Sequence, residues 1–191
     1  KGVKLYSLSY TYTQSTGGGE TPDPTPDPEP GETYKLITST SELEAGTKYV
    51  IGNASSSSAV FMSNATNTNN RKETESITIT DSQISATDEV LVLELGGTTG
   101  AWTFWTTNYT STNGYLTSAA SGSNNHCKVT TPAVACSYFT ISFTDGAAVI
   151  TSTGRNERNL LRYNSGSNCF ACYTSGQQPV YLYKLVDAGA A

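Results

Sequence analysis

A short polar turn between two apolar segments occurs twice in this chain and most constrains its fold. The letters SGSN stand at residues 121–124 and again at 165–168, each after one apolar segment and before another. A fainter copy lies upstream, where Phe61 and Met62 precede the letters TNN at residues 68–70. The copies recur about every 45 to 55 residues, a period that indicates a repeat architecture. The sequence therefore predicts three similar units.

Strand patterns fill the part of the chain that carries these copies. Residues 138–143 alternate apolar and polar side chains, Asp145-Gly146 is a hairpin signal, and residues 179–185 form a clean closing strand. No window holds a helical period long enough to predict a helix. We therefore expect an all-β fold, a β-trefoil-like closed barrel of three pseudo-repeats in which closure removes exposed strand edges. A two-sheet β-sandwich is the alternative, because the number of strands fits both.

The composition favours an exported protein with a weakly charged surface. Charged residues make up 14% of the chain, and Ser, Thr, Asn, Gly and Tyr are abundant. The net charge of −5 equals the five acids of residues 20–32, which contain no base. No basic stripe is present to neutralise phosphates, so we expect no nucleic-acid partner. No segment approaches the roughly 20 apolar residues of a membrane span.

The chain divides into four parts. Residues 1–13 alternate Tyr or Leu with Ser or Thr and predict one strand, whereas residues 14–32 form a Gly/Pro/Asp linker. Residues 33–187 form the trefoil-like domain, and residues 188–191 form a tail. The first strand either ends a β domain upstream, lies at an edge of the domain downstream, or is donated to another copy. With no initiator Met and no signal peptide, we expect a processed product or an excised fragment.

Candidate catalytic groups are sparse, and the chain is predicted not to be an enzyme. The single histidine, His126, lies in a repeated turn–strand element, which favours a structural position. No pair of carboxylates stands out as a glycosidase-type pair. We therefore predict neither a catalytic residue nor a cofactor.

The chain has four cysteines, which could form a metal site or a disulfide. Cys169 and Cys172 have C-x-x-C spacing within a strand-like segment, where positions i and i+3 lie on opposite faces. Both thiolates would not easily reach one metal ion, so no metal site is predicted. Cys127 and Cys136 are the more plausible pair for a disulfide in an oxidising compartment.

Aromatic, amide and guanidinium groups together predict a sugar-binding surface. Aromatic faces cover the C–H patches of sugar rings, while amides and guanidinium groups bond the hydroxyls. The competing interpretation is that aromatic side chains in strands form the core. The candidate binding residues are Trp105, Tyr109, Arg155, Arg158, Arg162, Tyr163, Asn164, Tyr173, Gln177 and Gln178.

The third copy also differs from the second in charge. Arg155, Glu157 and Arg158 precede Leu160, whereas residues 110–113 at the equivalent place are uncharged. Turns need only Asn, Gly and Ser, so the charge has another cause. It is either a solvated network around Glu157 or a site that recognises polar or anionic groups.

Two segments resemble a known type of module. The letters TGRNERNLLRYN at residues 153–164 and GQQPVYLYK at 176–184 resemble a C-terminal β module of secreted and surface multidomain proteins of gut Bacteroidetes. The likeness covers about residues 34–185. Such modules often follow a Pro/Asp/Thr linker like residues 21–30 and sometimes accompany nuclease or adhesin domains. The resemblance implies location and modularity, and it transfers no catalytic residue.

Together these observations predict a non-catalytic extracellular binding module, secreted or at a cell surface. A glycan or cell-surface polysaccharide is the expected ligand, and an upstream β domain of the same polypeptide or of a neighbouring subunit is the expected protein partner. One alternative is a structural or adhesin module that uses donation of its N-terminal strand. The other is an accessory domain of a secreted enzyme such as a nuclease.

Overall fold

The computed structural model describes residues 31–107 and 113–186, and this part of the chain is all-β with antiparallel pairing. The predicted strand at residues 1–13, the linker up to residue 30, Tyr109 and the tail at 188–191 lie outside the described residues. The all-β prediction is confirmed.

Sixteen strands and two 3-10 turns, at Thr40–Glu42 and Ala135–Ser137, make up the regular structure of the described residues. The first eight strands are β1 (Thr33–Ile37), β2 (Lys48–Gly52), β3 (Ser58–Ala59), β4 (Met62–Asn67), β5 (Asn70–Glu73), β6 (Ile77–Thr78), β7 (Gln83–Ser85) and β8 (Leu93–Thr98). The others are β9 (Ala101–Thr106), β10 (Gly114–Ser118), β11 (Cys127–Thr130), β12 (Phe139–Thr144), β13 (Ala147–Ser152), β14 (Leu160–Asn164), β15 (Cys169–Tyr173) and β16 (Tyr181–Leu185).

The strands form one 14-stranded sheet and a small sheet of β3 and β6. The order in the large sheet is β4-β5-β15-β14-β13-β12-β9-β8-β2-β16-β1-β7, with β10 attached to β9 and β11 to β10. No ladder of the described strands joins β4 to β7, so no closed barrel or trefoil is detected, and a sandwich-like sheet is consistent with this order. An isolated bridge does connect β13 to the start of β16, where Ala148 N donates to Val180 O at 2.8 Å.

All three sequence copies are antiparallel hairpins, as the repeat predicts. They are β4–β5, β10–β11 and β14–β15, with cross-strand pairs such as Leu116 with Val129 and Leu161 with Cys172. The turn of the second hairpin has Gly122 at φ +74°, and that of the third has Asn168 at φ +50°. Gly and Asn tolerate this left-handed conformation, which explains the composition of the turns. Strands β5, β11 and β15 of the three hairpins pack against one another.

The predicted hairpin at Asp145-Gly146 joins β12 to β13. Both turn residues have positive φ, +51° and +80°, which is typical of a type I′ turn. Six cross-strand pairs follow, from Thr144 with Ala147 to Phe139 with Ser152. The turn fixes the position of Asp145 at the end of this hairpin.

Two apolar clusters lie beneath the sheet. The larger contains Trp102 and Phe104 from β9, Ile150 from β13 and Leu161 from β14, and it extends to Leu182 of β16. The smaller packs around Phe61 and Tyr183, whose rings meet edge to face at a centroid distance of 5.2 Å. Fully burying one such side chain contributes about 1.5–3 kcal/mol. These clusters fix the inner faces of β13 and β14, and therefore which of their residues face outward.

Candidate functional site

Two of the predicted site arginines hold the turn of the second hairpin. Arg155 donates from Nη1 to Ala119 O at 3.1 Å and from Nη2 to Gly122 O at 2.9 Å. Arg158 donates from Nη1 to Asn125 Oδ1 at 2.7 Å. All three acceptors lie between β10 and β11, so these side chains join the third copy to the second. A ligand-binding role for Arg155 and Arg158 stays a prediction.

Glu157 forms no ion pair among the described residues, so a solvated network around it stays a prediction. The ion pairs of the described residues join Lys48 to Glu32 and Lys184 to Glu44, and Glu157 takes part in neither. The reason is local geometry, because the loop before β14 directs its guanidinium groups towards the second hairpin. Asn159 fixes that loop by donating from Nδ2 to Arg155 O at 2.9 Å and to Ser152 O at 3.1 Å.

Close packing brings this loop against the 3-10 turn at Ala135–Ser137. A Cβ on Gly154 would lie 2.5 Å from Cys136 N, which leaves no room for any larger residue. Glycine at this position therefore lets the loop approach the turn and places Arg155 beside the second hairpin.

Arg162 has a different environment from the other two arginines. It lies half-buried in the middle of β14, between Leu161 and Tyr163, whose side chains are buried. Its guanidinium makes no hydrogen bond or ion pair with any described residue, and its Nε is buried without a partner. Leaving a buried donor unpaired costs about 1–3 kcal/mol. A buried donor without a partner in a native structure calls for an explanation, and a bound ligand, water molecule or ion each provides one.

Arg162 lines an open groove with a volume of about 350 Å³. Three elements meet there: the hairpin between β12 and β13, the middle of β14, and the beginning of β16. The other lining residues are Thr144, Asp145, Ala147, Val149, Pro179 and Tyr181. The groove thus combines one cation, one anion, one half-exposed aromatic ring and an apolar floor.

Backbone hydrogen bonds hold the three elements in place. Tyr163 N donates to Gln178 O at 3.1 Å, and Gln178 N donates to Tyr163 O at 2.9 Å. With the Ala148–Val180 bridge, these bonds align the segment before β16 with both β13 and β14. The groove is therefore built on paired strands, which makes it largely preformed.

Amide and phenol groups lie beside the groove at the end of β14. Asn164 is two positions from Arg162 and so shares its face of the strand. Its Nδ2 donates to the Tyr173 hydroxyl at 2.9 Å, and its Oδ1 accepts from Gly166 N at 3.0 Å. Gln178 donates from Nε2 to Ser165 Oγ at 3.1 Å, and its neighbour Gln177 is exposed. The structure thus brings these predicted residues to one end of the third hairpin.

Tyr163 faces the core and not the surface. Its side chain is 5% exposed, and its ring packs on Phe170 at a centroid distance of 5.0 Å. The hydroxyl donates to Glu73 Oε2. Burial, followed by this hydrogen bond to a carboxylate, raises the pKa of Tyr163. No ring face is left for a sugar, and we omit Tyr163 from the proposed site.

Trp105 lies on β9, outside the residues that line the groove. It is half-buried and meets Tyr115 of β10 edge to face at 4.7 Å, whereas Trp102 is in the core at 8% exposure. Trp102 shares its face of β9 with the buried Phe104, whereas Trp105 lies on the other face, which also carries the buried Thr103. Trp105 is thus a surface aromatic, and Tyr109 lies outside the described residues.

Cys127 and Cys136, the pair predicted for a disulfide, are both free and buried in the structure, and their pairing stays a prediction. Cys136 belongs to the 3-10 turn at Ala135–Ser137, and its Sγ donates to Ala119 O at 3.6 Å. No group of three His, Cys, Asp or Glu side chains in residues 31–107 and 113–186 has a metal-binding arrangement.

Asp145, Pro179 and Tyr181 are among the six groove residues that the sequence analysis missed. Asp145 carries a turn signal, which explains its residue type without reference to a ligand. Tyr181 belongs to a segment that reads as an ordinary closing strand. Its exposure follows from the alternation along that strand, but the neighbours it meets come from distant parts of the sequence.

No family model matches the chain, and no curated protein matches it. Among the described residues there is no helix long and apolar enough to cross a membrane.

Proposed function

We propose that this chain is a non-catalytic extracellular binding module that binds a glycan in the groove at Arg162. The observation that carries the proposal is the guanidinium of Arg162, which lines the groove without a partner among the described residues. Sugars present hydroxyls that both donate and accept hydrogen bonds. Arg162 supplies donors and Asp145 supplies acceptors, and both are charged groups that strengthen such bonds.

The apolar part of the groove could pack against the C–H face of a sugar ring. The ring of Tyr181 and the side chains of Val149 and Pro179 offer carbon surface to the C–H patches of a pyranose. The volume of about 350 Å³ lies at the small end of the range of about 300–1,000 Å³ for ligand sites. One sugar unit or a chain end is therefore the expected occupant.

The chemistry of the groove supports binding without catalysis. Most glycosidases place two carboxyl groups at about 5–9.5 Å on either side of the scissile bond. The groove residues include one carboxylate, Asp145. His126, the single histidine of the chain, lies just before β11 and is not among the groove residues.

A glycan array probed with the full chain tests this function. We expect the wild-type chain to bind at least one glycan and Arg162→Ala to lose that signal. Lys35→Ala is the charge-matched control, because it removes one exposed positive charge on β1. No bound glycan, or equal binding by Arg162→Ala, would contradict the proposal.

The finer architecture, a trefoil-like barrel of three pseudo-repeats, is part of the same proposal. The mutual packing of β5, β11 and β15 and the bridge between β13 and the start of β16 support it, although the strand order is open. Slow amide exchange at Ala148, whose N–H forms that bridge, is the expected result. Fast exchange at Ala148 would favour the sandwich instead.

A further inference from the structure

Two of the four cysteines belong to the same apolar cluster. Cys127 of β11 and Cys172 of β15 are each 1% exposed, and both lie in the larger core cluster. Cys136 and Cys169 are buried but lie outside that cluster. Cys169 is separated from Cys172 by the alternation of faces along β15. Of the six pairs that four cysteines allow, this is the pair in which both members belong to the larger core cluster.

These two cysteines lie on strands that pack against each other, β11 and β15. The Cys172 thiol is hydrogen-bonded with the Cys127 thiol. This hydrogen bond, followed by burial, raises the pKa of Cys172, so its thiol stays protonated in the folded core. Cys136, in contrast, directs its thiol to the carbonyl of Ala119.

The backbone around the pair is fixed by the first hairpin. Cys127 N donates to Asn69 O at 2.9 Å, and Arg71 Nε donates to Cys127 O at 3.0 Å. Arg71 itself pairs in register with Phe170, two residues before Cys172 on the same face of β15. All three hairpins therefore meet at this point, where β5, β11 and β15 pack against one another.

We propose that Cys127 and Cys172 form a disulfide when the chain folds in an oxidising compartment. The bond would join the second hairpin, which pairs with the rest of the sheet through β9, to the third. The expectation of such a compartment rests on the proposed extracellular location, but the choice of partners does not. The pairing is therefore testable apart from glycan binding.

The chemistry is thiol–disulfide exchange with a small or enzymatic disulfide, R–S–S–R. The thiolate of one cysteine attacks the disulfide and releases one RS⁻, which takes up a proton. The second cysteine, once deprotonated, attacks the mixed disulfide and releases the other RS⁻. The two cysteines lose two protons and two electrons, and R–S–S–R becomes two RSH. Because both thiols are buried in the folded protein, the exchange takes place as the chain folds.

Peptide mapping of the refolded full chain is the test. The protein is unfolded with reductant, refolded with reduced and oxidised glutathione, alkylated and digested for mass spectrometry. We expect one peptide pair linking Cys127 to Cys172, with its mass lower by about two hydrogens, and alkylated Cys136 and Cys169. A link between Cys127 and Cys136, any other pair, or four alkylated cysteines would overturn the proposal.

Thermal unfolding gives a second readout. The bond closes a loop of about 45 residues, so the oxidised chain should melt about 10 °C above the reduced chain. Cys172→Ser should abolish this difference between oxidised and reduced samples, and Cys136→Ser should keep it. If Cys172→Ser fails to fold, the peptide map of the wild-type chain still decides the pairing.

Discussion

The loop before β14 and the groove on β14 place the same chemical group in opposite environments. Arg155 and Arg158 donate to acceptors in the second hairpin, 33 to 36 residues away in sequence. Arg162, only four residues after Arg158, has no such partner among the described residues. The comparison teaches that clustering in sequence says little about shared function, because a loop can direct its side chains to another unit while a strand fixes them on one face.

The expected contributions to the free energy of folding also differ between the loop and the groove. A hydrogen bond from a charged group contributes about 1.5–3 kcal/mol, and an unpaired buried donor costs about 1–3 kcal/mol. Arg155 is therefore expected to stabilise the fold, whereas Arg162 contributes little to stability or reduces it. The changes in the free energy of unfolding caused by substituting Arg155 and Arg162 should therefore differ in sign or at least in magnitude.

Removing Arg155 should have the largest effect on stability. Arg155→Ala deletes two hydrogen bonds to carbonyl oxygens, and since the side chain is half-exposed we expect a loss of about 1.5–3 kcal/mol. Thermal denaturation followed by circular dichroism should show a melting temperature lower by about 3–10 °C. Arg155→Lys is the control that keeps the charge but not both bonds. An unchanged melting temperature for Arg155→Ala would show that Arg155 does not stabilise the fold, and would contradict the distinction between Arg155 and Arg162.

Removing the hydroxyl of Tyr163 should have a smaller effect. Tyr163→Phe deletes the hydrogen bond to Glu73 and leaves the packing of the ring unchanged, so we expect a loss of about 0.5–1.5 kcal/mol. Chemical denaturation measures this loss, with Tyr115→Phe as a control for a hydroxyl elsewhere. Glycan binding should be the same as in the wild type. A clear loss of binding would return Tyr163 to the site.

His126 reports on the charge of Arg155. Burial, followed by the charges of Lys128 and Arg155, lowers the pKa of His126 below its ordinary 6.5. Protonation therefore disfavours the folded state, and stability is complete above about pH 6.5 and falls as the pH drops through the window below it. Because the chain has one histidine, its imidazole signals are easily followed by NMR titration.

The two arginines should act differently on this titration. In Arg155→Ala the pKa of His126 should rise towards 6.5, because one neighbouring positive charge is removed. In Arg162→Ala it should stay at the wild-type value. Equal shifts in both variants would mean that the guanidinium groups share one environment, contrary to the comparison.

The hairpins were predictable from sequence because their causes are local. The SGSN turns, and the Asp145-Gly146 turn with positive φ at both residues, specify reversals within a few residues. The alternation along β9 likewise predicts that Trp102 is core and that Trp105 is not. The arrangement of the whole sheet was less predictable, since β1 and β7 lie outside the repeats and form one end of an open strand order.

The site was less predictable because its causes are distant in sequence. Arg162 meets Asp145 and Tyr181 only after β13, β14 and β16 are aligned. The acceptors of Arg155 lie in another copy, and Cys127 shares its core cluster with Cys172, 45 positions away. Residue type indicated which side chains could bind a ligand. It could not indicate which of them make hydrogen bonds within the protein instead.

Parallel measurement of stability and glycan affinity in Arg162→Ala tests the central claim most directly. Calorimetric titration with a glycan that the wild type binds should show affinity at least about tenfold weaker, equivalent to about 1.4 kcal/mol. The free energy of unfolding should fall by no more than about 0.5 kcal/mol, as for a residue without structural partners. Wild-type affinity together with a loss of several kcal/mol would show that Arg162 supports the fold, as Arg155 does, and would contradict the account.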